Sequence, residues 1–98
     1  MPSFRPEDTL CRVPDMISTE LDQETVLMNV DAGAYYGLAG PAQSIWRALE
    51  APITFATLLE RLTQLYDVAP DTCAAEVERF LLDLRKEGLL RVNPAQTA

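Results

Sequence analysis

VLMNVDAGAYYGLAGPAQSIW, residues Val26 to Trp46, reads as a strand, a tight turn, a second strand and the start of a helix. Val26, Met28 and Val30 alternate with Leu27 and Asn29, the period-2 pattern of a strand with one face more deeply buried. Asp31-Ala32-Gly33 supplies turn residues, and Gly33 can take a positive φ at no steric cost. Ala34-Tyr35-Tyr36-Gly37-Leu38 is aromatic enough to be the partner strand. Gly40-Pro41 closes the sheet and opens a helix, with proline in its favoured first-turn position.

Upstream, Met16 to Asp22 alternates again, with Ile17, Thr19 and Leu21 on one side. A turn at Asp22-Gln23 leads into Glu24–Asp31, so a three-strand antiparallel meander opens the domain. Residues 1–15, with Pro2, Pro6 and Pro14, read as an irregular arm pinned by Phe4, Leu10 or Val13. Three helices follow the meander. The first runs from Pro41 to Glu50, with Ile45, Trp46 and Leu49 at helical spacing, and stops before Pro52. Thr54 is the expected N-cap of the second, Phe55 to Tyr66, which carries a stripe of Phe55, Leu58, Leu59, Leu62 and Tyr66. Asp71 or Thr72 is the expected cap of the third, which runs to Glu87. Cys73, Val77, Phe80, Leu81 and Leu84 lie on one of its faces, and Gly88 sits where a left-handed C-terminal cap belongs. Leu89 to Val92 is a short apolar extension, strand-like or packed back on the helices, and residues 93–98 are expected to fray. The fold class is therefore α+β and winged helix-turn-helix-like: a three-stranded antiparallel sheet, then three helices, in one domain over residues 16–92.

Composition narrows the chemistry. The 98 residues contain no histidine, which removes the commonest general base and metal ligand. Cys11 and Cys73 stand far apart without metal-ligand neighbours and read as free thiols. The carboxylates Glu76, Asp83 and Glu87 have the spacing of a solvated helix face, and none of the four glycines forms a phosphate-binding loop. These residues point to a binding protein without catalytic residues, cofactor or metal. A net charge of −7 opposes DNA and acidic membranes at long range. In a DNA-binding winged helix, the third helix would read the bases, yet Glu76, Glu78, Asp83 and Glu87 outnumber Arg79, Arg85 and Lys86 there. With no apolar run of about 20 residues and no signal-peptide core, the expected location is cytoplasmic.

VLMNVDAGAYYGLAGPAQSIWRALEAP, a leucine-striped helix and CAAEVERFLLDLRKEGLL together resemble the PqqD-like proteins, the recognition elements of ribosomally made, modified peptides. The likeness covers Met16 to Val92 and rests on Tyr-Tyr-Gly-Leu, the Ile-Trp pair and the Gly-Leu-Leu ending. It implies a protein that binds a precursor's leader peptide. The separate recognition protein of lasso-peptide clusters, which serves a leader peptidase and a cyclase, is the nearest type. The PqqD that serves a radical-SAM enzyme is the alternative. The resemblance implies that the leader joins the sheet along Ala34, Tyr35, Tyr36, Gly37 and Leu38. Glu76, Val77, Phe80, Leu81, Asp83 and Leu84 of the third helix would form the other wall. Two rivals use the same elements differently: a DNA-binding regulator, and a homodimer formed through the strand edge.

Overall fold

The computed structural model describes residues 4–14, 16–29 and 33–94. Their order is β1 (Thr9–Arg12), β2 (Ile17–Leu21), β3 (Glu24–Asn29), β4 (Ala34–Ala39), α1 (Pro41–Ala48), β5 (Ile53–Thr54), α2 (Phe55–Leu65), α3 (Pro70–Lys86) and β6 (Leu90–Asn93). The expected meander is present as an antiparallel sheet in the order β2-β3-β4. Residues 30–32 of its second turn lie outside the described residues; Gly33 has a φ of 65°.

Sequence patterning missed a second sheet, ordered β5-β1-β6. Thr9–Arg12 lies in the arm expected to be irregular, yet it pairs antiparallel with both Ile53–Thr54 and Leu90–Asn93. Asn93, expected to fray, pairs with Thr9. The arm is held further by Phe4, which is buried and packs its ring 5.7 Å from that of Phe55. The carbonyls of Asp8 and Pro6 accept hydrogen bonds from the N–H groups of Phe55 and Ala56. Those donors open α2 and have no partner within the helix, so the arm completes the helix end.

The helices follow the apolar spacing, with differences at their ends. Thr54 caps α2, its hydroxyl accepting from the Thr57 N–H at 3.2 Å. The cap of α3 is Ala69 rather than Asp71 or Thr72; Pro70 occupies the first helical position, which suits its fixed φ and missing N–H. Gly88, at φ 75°, lets the Leu89 N–H bond the Leu84 carbonyl at 2.9 Å and closes α3 in a left-handed cap. One core joins the layers: Leu10 from β1, Leu27 and Leu38 from the meander, Ile45, Trp46 and Leu49 from α1 and its cap, Leu58 and Leu62 from α2, Val77, Leu81 and Leu84 from α3. Gln43 donates to the buried Thr25 hydroxyl at 3.1 Å, which fixes α1 beneath β3.

Candidate functional site

β4 is an edge strand. It pairs with β3 on one side and has no strand partner on the other among the described residues. The arm, the segment best placed to cover such an edge, is committed to the second sheet. In an antiparallel ladder every second residue turns both N–H and C=O away from its neighbour. Six-residue β4 therefore presents about six unpaired groups along this edge.

The ladder register sorts the side chains. Leu27 faces Tyr36 and Thr25 faces Leu38, so Tyr36 and Leu38 point to the helix side of the sheet. There a groove of about 330 Å³ opens between β4 and the C-terminal half of α3, with Tyr36, Leu38, Phe80, Asp83, Leu84 and Glu87 among its walls. The Tyr36 hydroxyl donates to Glu87 Oε2 at 2.7 Å, joining strand to helix at this end. That bond raises the Tyr36 pKa above its ordinary value, with burial and the Glu87 charge adding to it. The phenol is accordingly a neutral donor throughout the neutral range. Asn29 reaches the same helix end, its side-chain amide donating to the Glu87 carbonyl at 3.4 Å.

At Phe80 the groove meets a second hollow of about 130 Å³ between α1 and α3. Pro41, Ala42, Ile45, Tyr66, Cys73 and Val77 give it apolar walls, with exposed Glu76 at its margin. Its size is close to the ~150 Å³ of an apolar cavity that accepts benzene. Ser44 and Tyr66, whose hydroxyls are 2.8 Å apart, hold α1 to α2 near this hollow. Burial, with a smaller contribution from Glu76, raises the Cys73 thiol pKa.

Of the residues singled out from the sequence, Tyr36, Leu38, Phe80, Asp83 and Leu84 line the groove, while Glu76, Val77 and Phe80 line the hollow. Two side chains stand elsewhere. Tyr35 is 69% exposed and opposite Met28, on the face of the sheet away from α3, so only its backbone belongs to the edge. Leu81 has no exposed surface and is core. Ala34 and Gly37 supply backbone, Gly37 lying against the Glu24 side chain. The hollow contributed by Pro41, Ala42, Ile45, Tyr66 and Cys73 was not read from the sequence. Each of these residues had a sufficient explanation in its own helix, and only the packing of α1 against α3 opens a space between them.

An open strand edge set against an apolar helix wall is the geometry on which an extended chain adds as a strand. The chain belongs to the PqqD family: the family model described as coenzyme PQQ synthesis protein D matches residues 24–90. Among solved structures it is similar to TbiB1 in complex with the TbiA(beta) leader peptide, at 26% identity and a TM-score of 0.77, over 83% of this chain and 94% of that one. No curated protein matches it. No described helix is long and apolar enough to cross a membrane.

Proposed function

We propose that this protein is a non-catalytic recognition element that binds the leader segment of a ribosomally made precursor peptide and presents it to maturation enzymes. The observation that carries the reading is the vacant β4 edge beside the Phe80 groove, in a chain similar to one solved with a leader peptide. The leader lies along Ala34–Ala39, and its alternate side chains point at α3. About six main-chain hydrogen bonds contribute roughly 3–9 kcal/mol net. Association costs about 4–15 kcal/mol, so backbone pairing alone is insufficient. Two buried leader side chains, at about 1.5–3 kcal/mol each, make up the difference and provide the selectivity. One fills the groove over Leu38 and Leu84, and the other enters the hollow between Ile45 and Val77.

The leader peptidase and cyclase of a lasso-peptide pathway are the enzymes served, in the cytoplasm; the sequence likeness supports this assignment. The test is fluorescence anisotropy with a labelled leader and two variants, Tyr35→Pro and Tyr36→Pro. Consecutive residues alternate in the direction of their N–H groups. One proline therefore breaks the β3–β4 ladder, and the other reaches only the outer edge. The variant that stays folded is expected to lose at least tenfold in leader affinity. A folded variant that binds as the parent does would exclude strand addition at β4.

A further inference from the structure

At the β2 side of the meander, away from β4, a polar cleft of about 370 Å³ opens between β1, β2 and α1. Arg12, Ser18, Glu20, Trp46, Arg47 and Glu50 are among its walls. Past Arg12 and Trp46 it continues into a lobe of about 300 Å³ bounded by Pro14, Met16 and Pro52. None of these residues lines the groove or the hollow beside α3. Arg12 is the fixed point of the cleft. Its Nε donates to the Trp46 carbonyl at 2.8 Å, and its guanidinium carbon lies 4.6 Å from the centre of the Trp46 ring. Bond and ring together hold the planar fork in one orientation. Among the described residues its terminal amino groups have no hydrogen bond, and no carboxylate lies within 4 Å of them. A partly buried arginine is ordinarily met by an acid. Glu20, on the same wall, is committed elsewhere: its carboxylate accepts from Arg47 Nε and from the Thr25 hydroxyl. Glu50 acts on Arg12 only through its charge. Burial accordingly lowers the Arg12 pKa by more than Glu50 and Glu20 raise it.

We propose that this cleft is a second binding site, for a carboxylate group that Arg12 grips through its terminal amino groups. A guanidinium fork matches the two oxygens of a carboxylate, and such paired, charge-assisted bonds are among the strongest polar contacts. The balance of charge selects the class of anion. Arg12 and Arg47 stand against Glu20 and Glu50 in the walls, so the cleft is neutral as a whole. A singly charged carboxylate suits it, whereas the second charge of a phosphate meets the unpaired Glu50. The space admits the side chain of an aspartate or glutamate in a peptide, or a small free acid. β2 has no strand partner on its outer side among the described residues, which leaves room for a peptide main chain beside the cleft. The site is independent of the leader-binding reading, since β3 separates it from the β4 edge.

Trp46 is the only tryptophan of the chain and touches Arg12, so its fluorescence reports on the cleft. The probes are acetyl-Ala-Glu-Ala-amide, its glutamine analogue, sodium glutarate and inorganic phosphate, each titrated into the full chain at constant ionic strength. Trp46 emission and the ¹⁵N signal of the Arg12 Nε–H group are followed together. The glutamate peptide is expected to move both saturably and to bind at least about fivefold more tightly than its glutamine analogue. Arg12→Lys keeps the charge but loses the fork, and is expected to weaken that binding at least about fivefold. Because Arg12 also holds Trp46, a second variant leaves its contacts intact: Glu50→Gln removes a repelling charge and should tighten binding about two- to threefold. Saturation by glutarate but not by the peptide also supports the site, and identifies its occupant as a free acid. The absence of a saturable response to either carboxylate would overturn the proposal. So would phosphate binding more tightly than both, or a glutamate-peptide affinity left unchanged by Arg12→Lys and Glu50→Gln alike.

Discussion

Replacing Phe80 by alanine tests the groove at the point where its two apolar spaces meet. Phe80 is half-buried against the core, and its remaining surface looks into both spaces. Fully burying such a side chain contributes about 1.5–3 kcal/mol. Half of that is already realised in the free protein, so a guest that covers the rest gains about 0.75–1.5 kcal/mol. At about 1.4 kcal/mol per tenfold, Phe80→Ala should weaken leader binding by roughly 3- to 12-fold. The half facing the core costs stability as well, but less than the ~3–5 kcal/mol of a fully enclosed phenylalanine. A lower melting temperature with a cooperative transition is therefore expected. Anisotropy with a labelled leader gives the affinity, and a thermal melt shows that the variant is folded. The loss should persist at high salt, since apolar contact is not screened. A folded Phe80→Ala protein binding within twofold of the parent would refute the assignment of this groove to the leader.

Leu81, one position on, turns fully into the core; Leu81→Ala is expected to cost about 2–5 kcal/mol of stability, read as a lower urea midpoint at unchanged slope. Gly88→Ala meets no neighbouring atom but keeps a φ of 75°, so it should cost about 1–2 kcal/mol from backbone strain alone, measured by thermal unfolding. Because burial raises the Cys73 thiol pKa and hides its sulfur, iodoacetamide near neutral pH should label Cys11 alone in the native protein and both cysteines after denaturation, as counted by mass spectrometry. The Tyr36 phenol is raised above its ordinary pKa of 10.0, so its bond to Glu87 contributes fully below that pH and is lost as pH rises through the higher folded value. Titrating phenolate absorbance in the parent and in Tyr36→Phe should show that the ionisation missing from the variant lies above the ordinary phenol pKa of 10.0.

How much was legible in the sequence depended on distance along the chain. The β2-β3-β4 meander and the three helices could be read because their signals are local: alternation over five or six residues, leucines every third or fourth position, Thr54 before α2, Gly88 after α3. The edge character of β4 was also readable, since the chain passes from it directly through Gly40-Pro41 into a helix. The β5-β1-β6 sheet was not, because two to four residues from positions 9, 53 and 90 carry no periodicity long enough to detect. Their partnership exists only once the helices have folded back and brought them together. The same holds within the site. Helical spacing put Val77, Phe80, Leu81 and Leu84 on one stripe, but a stripe cannot say which member faces the core and which borders an opening. The angle at which α3 lies against β4 and α1 decides that: Leu81 has no exposed surface, Phe80 lies between two hollows, and Tyr35 is on the far side of the sheet.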